Sequence, residues 1–156
     1  NAMVENTLET ALEREHRAID GGIEEYRAGD GANQEPLLRS MLGLRRHIYL
    51  EERFLFPPLR DAGMMMPVMV MLREHGELWR SMDSLGSLLA DRTDHGTVAA
   101  TCNELLAQLD KHNTKEEPIL YARADAVLSP AAAAELSAFI DEGNLPDGWV
   151  CEGARS

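Results

Sequence analysis

One ten-residue pattern occurs twice in this chain, each time where a helix would bury it. His47 to Phe56 and His112 to Tyr121 both read His-x3-Glu-Glu-x2-Leu-aromatic, at an offset of 65. A shorter echo precedes each copy, Arg14-Glu15-His16 and Arg73-Glu74-His75, at an offset of 59. The chain is therefore two similar halves, each supplying a lone His and then a His-x3-Glu. Any fold for this sequence must place four histidines and two glutamates in matched positions.

The surrounding apolar residues recur in steps of three and four, the period of a helix with one buried face. Over about residues 6 to 28 the stripe is Leu8, Leu12, Ile19, Ile23 and Tyr26, and His16 fills its gap. Asn6 or Thr7 is the N-cap, and Gly29-Asp30-Gly31 makes the turn. From Glu35 or Pro36 to Phe56 the stripe is Leu37, Met41, Leu44, His47 or Ile48, Glu51, then Phe54 or Leu55. Pro57-Pro58 is expected to stop or kink that helix. Met64, Met65 and Met66, with Met69 and Met71, read either as apolar filler or as a pliable wall over a ligand channel.

The third stripe, from about Pro67 to Ala90, carries Val68, Met71 or Leu72, His75, Leu78 or Trp79, Met82, Leu85 and Leu89. The fourth, over about 96 to 124, carries Val98, Cys102, Leu105, Leu109, His112, Glu116, and Ile119 or Leu120. Asp94 or Thr93 caps it, and Pro118 predicts a kink. Ser129-Pro130 opens a short Ala-rich helix to about residue 142, followed by an irregular tail with Trp149 as its anchor. No segment has a strand period. The predicted architecture is all-α: an up-and-down antiparallel four-helix bundle over 3–126, with a short extra C-terminal helix and tail over 127–156 packed on or near it.

His16, His47, Glu51, His75, His112 and Glu116 all fall on these buried stripes. An unpartnered imidazole or carboxylate in a core costs several kcal/mol, so six together would forbid the fold unless they compensate one another. A cation does so directly, since neutral imidazoles and ionised carboxylates both donate to it. Residues i and i+4 lie one above the other on a helix, so His47 with Glu51, and His112 with Glu116, each offer two donors to one point. The simplest assembly puts His16 and His47 on one metal and His75 and His112 on another, with Glu51 and Glu116 bridging. Imidazole plus carboxylate suits Fe, Mn or Zn. Glu52 and Glu117 lie about 140° round from their histidines at roughly 100° per residue, which faces them to solvent or a helix seam. His95 has no duplicate and reads as a surface or capping residue.

The 156 residues fit one domain with a real core. A net charge of -12 argues against nucleic acid or an anionic membrane as a partner. No apolar run approaches the roughly 18 residues of a membrane span, and the N-terminus has no signal-peptide pattern, so a cytoplasmic location is expected. Asn1 and Ala2, ahead of Met3, read as an expression remnant. Cys102 and Cys151 form no CxxC pair and read as structural or idle thiols.

In the order His, His-x3-Glu, His, His-x3-Glu, through His16, His47, Glu51, His75, His112 and Glu116, the chain resembles the hemerythrin-like, or HHE cation-binding, family. The run from Glu51 to Pro57 is also similar to the family's helix end, and the likeness covers about residues 5 to 125. The resemblance implies a non-haem di-iron centre of two iron ions in the bundle, with O2, NO or peroxide as the small ligand; on donor type Zn or Mn is possible. Oxygen-carrying hemerythrins have a second His one turn after the third-helix ligand, where this chain has Trp79, whose indole has no lone pair to give. The match is closer to the four-His, two-Glu members, which implies a protein that binds or senses O2 or NO or holds iron. The alternative is a di-iron enzyme acting on peroxide or NO, or supplying iron for repair of iron centres. Trp79 and Met82 are expected to control access to the open position.

Overall fold

A computed structural model describes residues 7–155. The cap alternative Asn6 and the first residues Asn1 and Ala2 lie outside the described residues. The helices are α1 (Leu8–Ala28), α2 (Glu35–Leu50), α3 (Phe56–Asp61), α4 (Met65–Ala90), α5 (His95–Glu116), α6 (Ala122–Val127) and α7 (Pro130–Glu142). A π-helical turn, Glu51–Leu55, joins α2 to α3, and a second, Glu117–Tyr121, joins α5 to α6. Among the described residues there is no strand, and no helix is long and apolar enough to cross a membrane.

The caps follow from side-chain chemistry. Thr7, Asp94 and Ser129 each accept a hydrogen bond from the backbone N–H three residues on, which satisfies a donor that the first turn leaves orphaned. Pro57 and Pro58 do not stop the helical run. They sit in the first turn of α3, where a missing N–H costs little, directly after the wider π turn. Pro118 is likewise absorbed inside a π turn.

The chain runs up, down, up and down, so each end of the bundle gathers residues from all four rods. At one end Ile19, Ile23, Leu37, Leu44, Leu78, Met82, Leu105 and Leu109 form an apolar cluster. At the other Leu8, Leu12, Leu50, Phe56, Val68, Leu120 and Tyr121 form a second, joined by Leu136 of α7. The polar stripe positions lie between these two clusters, which is where a periodic polar residue must go if both ends are apolar. Gly22 sets the approach of α1 to α2: a Cβ there would lie 2.0 Å from Ser40 Oγ and 2.7 Å from Pro36 O.

The methionines divide. Met64 and Met71 are buried, whereas Met65, Met66 and Met69 are exposed. The tail folds back onto α4, where Gly153 O would sit 2.5 Å from a Cβ at Gly76. Trp149 packs edge-on to Trp79 with ring centres 5.5 Å apart, and Cys151 is fully buried beside it.

Candidate metal centre

The bundle brings all six sequence-predicted donors to one layer. His16, His47, Glu51 and Glu116 form one set and Glu51, His75, His112 and Glu116 a second, each with one ligating atom per residue within 4.8 Å of all the others. All six are buried. Glu51 reaches Nε2 of His47 at 3.0 Å and Nε2 of His75 at 2.9 Å, so its two oxygens face the two sets. Glu116 Oε1 lies 3.2 Å from His16 Nε2 and 3.4 Å from His112 Nε2. Neither Glu116 oxygen has a hydrogen-bond partner among the described residues, although the side chain is fully buried. A buried carboxylate so orphaned is costly alone and suited to a cation, and the donors around it fit one.

Each histidine presents Nε2 to the centre because its Nδ1 is taken by a carboxylate from the neighbouring rod. Glu15 of α1 accepts from His47 at 2.7 Å, Glu52 from His75 at 2.8 Å, Glu74 of α4 from His112 at 2.8 Å, and Glu117 from His16 at 2.7 Å. The four contacts close a ring around the bundle. Such partners fix the tautomer and raise the basicity of the inner nitrogen. Of the two settings expected for Glu52 and Glu117, both take the helix seam, although Glu117 keeps a side chain 35% exposed. Glu15 and Glu74 stand in the duplicated Arg-Glu-His, but nothing in that pattern alone gives them a role.

The ring is itself anchored. Arg46 donates to Glu15 and to the carbonyls of Phe139, Ile140 and Gly143, closing the C-terminal end of α7. Lys115 pairs with Glu74, and the Glu152 backbone N–H donates to Glu52 at 3.1 Å.

Without metal, protons do the compensating. Burial works against charge on His47 and His75, yet Glu51 and the outer carboxylates outweigh it, raising His47 well above its usual value and His75 to about 9. Burial pushes the Glu51 carboxyl up, but His47 and His75 pull it well below the carboxylate range. Glu116 is held down too, where burial and Glu51 are overcome by His112 and His16.

Tyr121, the aromatic that ends the second repeat, has no role that the sequence pattern reveals. Its hydroxyl lies within hydrogen-bond distance of Nε2 of His16 and of His47, 2.8 Å from each, and donates to Glu51. Burial, with Glu116 and Glu51 nearby, raises its pKa well above that of an ordinary phenol.

A cavity of about 10 Å³ lies against five of the donors, His16, His47, Glu51, His75 and His112, and is closed by Ile19, Leu44, Ile48, Leu78 and Leu109, with Asp20 and Asn113 as its other polar members. That volume admits one water-sized particle. Trp79 and Met82, expected to guard the site, do not line it. Trp79 lies under the Arg45 guanidinium, 4.5 Å away, and against Trp149. The methionine-rich connection does not reach the cavity either. His95 stays apart, half-buried at the start of α5 with its ring edge-on to Tyr26, 5.0 Å away.

No curated protein and no solved structure matches the chain. The family described as the hemerythrin HHE cation binding domain matches residues 7–139, which spans every donor and outer carboxylate named above. With a buried His and Glu cluster able to hold metal at its centre, the chain belongs to the hemerythrin HHE cation-binding domain family.

Proposed function

We propose that this is a non-haem di-iron protein that binds or senses a small ligand, O2 or NO, or holds iron. His16 and His47 serve one ion, His75 and His112 the other, and Glu51 and Glu116 are shared. The observation that carries this reading is the pair of buried four-residue sets with two carboxylates in common. Iron bound there would supply a change of oxidation state and an exchangeable coordination position. The chain's part is to hold four Nε2 atoms inward through the outer carboxylates, and to restrict access to particles the size of a diatomic molecule. The apolar lining keeps bulk water from the donors. A cytoplasmic location goes with this reading.

One observation favours turnover as a second reading. Asp20 lines the cavity with an oxygen that lacks a hydrogen-bond partner, and burial raises its pKa to about 6, with Glu24, Asp110 and Glu117 adding to the shift against His16. A carboxyl that holds a proton near neutrality could deliver it to peroxide or NO. Steady consumption of either by iron-loaded protein, lost in Asp20→Asn with iron retained, would favour the enzyme.

Elemental analysis and a visible spectrum test the main reading. About two irons per chain are expected, as in other carboxylate-bridged bundles, with a ligand-to-metal band that bleaches on reduction. Zinc alone, or no metal after iron reconstitution, would overturn it. Glu51→Ala and Glu116→Ala should each lose both ions together; loss of one ion only would sink the bridging assignment.

A further inference from the structure

The two repeats differ at their last position, where Phe56 in the first is matched by Tyr121 in the second. Both side chains are fully buried and both reach the centre. Phe56 stacks on His75, with ring centres 5.4 Å apart and planes 20° from parallel. Tyr121 stacks on His16 at 5.1 Å and 28°. The internal duplication thus puts one aromatic ring beside each donor set, and only one of the two rings carries an oxygen.

That oxygen is placed among donors. It lies 2.8 Å from His16 Nε2 and 2.8 Å from His47 Nε2, and it touches Glu51, which are three of the four residues of one set. Donors bound at about 2.1 Å and at right angles around one ion lie about 3 Å from one another. The Tyr121 hydroxyl has that spacing, and it meets both imidazoles at Nε2, the nitrogen that faces the centre. The outer carboxylates, by contrast, meet the histidines only at Nδ1.

We infer that Tyr121 is an additional oxygen donor to the metal held by His16 and His47, and that the two metal positions are unequal. The exchangeable position then belongs to the ion held by His75 and His112, where Phe56 offers no donor. The inference rests on the metal-centre reading above. On binding, the phenol O–H bond breaks, an oxygen–metal bond forms and the proton leaves to solvent; nothing is oxidised or reduced.

Iron-loaded ferric protein provides the test. Resonance Raman excitation within its visible band should show tyrosinate ring modes. Tyr121→Phe should lose those modes while elemental analysis shows both irons retained. Azide, as a probe of exchangeable positions, should bind the unmodified protein at one iron and the Tyr121→Phe variant at both. Modes that persist in the variant, or an azide stoichiometry that does not change, would overturn the inference. Phe56→Tyr covers the case in which Tyr121→Phe does not fold. The added phenol should strengthen the tyrosinate modes, and an unchanged intensity would overturn the pairing of the two slots. Two irons without tyrosinate modes in the unmodified protein refute this inference alone, whereas failure to take up iron refutes the metal-centre reading with it.

Discussion

At the scale of single residues the centre depends as much on the groups behind the histidines as on the histidines themselves. Periodicity puts His16, His47, His75 and His112 on buried stripes, but a stripe cannot say which ring nitrogen faces inward. That choice is made across helix seams, by a carboxylate one rod away in each case. Glu74 shows what each contributes. It is buried, accepts from His112 Nδ1, pairs with Lys115, and is held below the usual carboxylate range: burial pushes it up, and Lys115 and His112 pull it down further. Glu74→Ala should weaken metal binding roughly 10- to 100-fold, the usual cost of losing such a partner. Chelator competition measures this, with the exposed Glu77→Ala on the same helix as control. Equal affinities in the two variants would mean that His112 is held in place by packing alone.

At the scale of elements the stripes and caps are legible in the sequence, and the π turns are not. Thr7, Asp94, Ser129 and the run from Leu8 to Tyr26 carry local signals that act within one turn of helix. The π turns depend on tertiary packing: Leu55 and Phe56, just before Pro57, and Leu120 and Tyr121, just after Pro118, must all reach the core. A proline in sequence signals a break, and only the packed neighbours decide that the helix widens instead. Tyr121 escapes a sequence reading for the same reason, since its hydroxyl meets α1 and α2 only once the rods assemble. The tail is a further tertiary feature. A Cβ at Gly153 would lie 2.5 Å from Leu72 O and 3.0 Å from Gly76 Cα, both backbone atoms of α4 that cannot step aside. Gly153→Ala should therefore lift the tail from α4. Cys151 is buried, and its thiol is pushed up to about 11 by burial and by Glu52, so it should resist thiol reagents in the unmodified protein. In the variant Cys151 should react while Cys102, in the bundle core, stays protected. Equal protection of both would mean that the tail tolerates the methyl group.

At the scale of the whole molecule, the protein balances a core full of ionisable groups, and pH reveals what does the balancing. The chain carries 27 acidic against 15 basic residues, which favours the approach of cations. In the metal-free state His47, His75 and His112, all raised by neighbouring glutamates, hold protons against them. His75 is raised from 6.5 to about 9, so its contribution to stability is complete below pH 6.5 and is lost as pH rises through 9. Glu51 is shifted the other way, so its contribution is complete above 4.5 and is lost on acidification through its lowered folded value. Asp20, raised to about 6, adds a loss as pH climbs from 3.8 to 6. The metal-free protein should accordingly be most stable between about pH 4.5 and 6.5 and weaken toward pH 9. Each kcal/mol lost on that climb lowers Tm by roughly 2–4 °C for a chain of this size. Metal reverses the sign, because the ion needs deprotonated imidazoles and displaces protons as it binds. Thermal melts with and without iron across this range should therefore diverge, the metal-free Tm falling from pH 6.5 to 9 while the loaded Tm holds or rises. Parallel curves would mean that His47 and His75 carry no proton that a metal must displace.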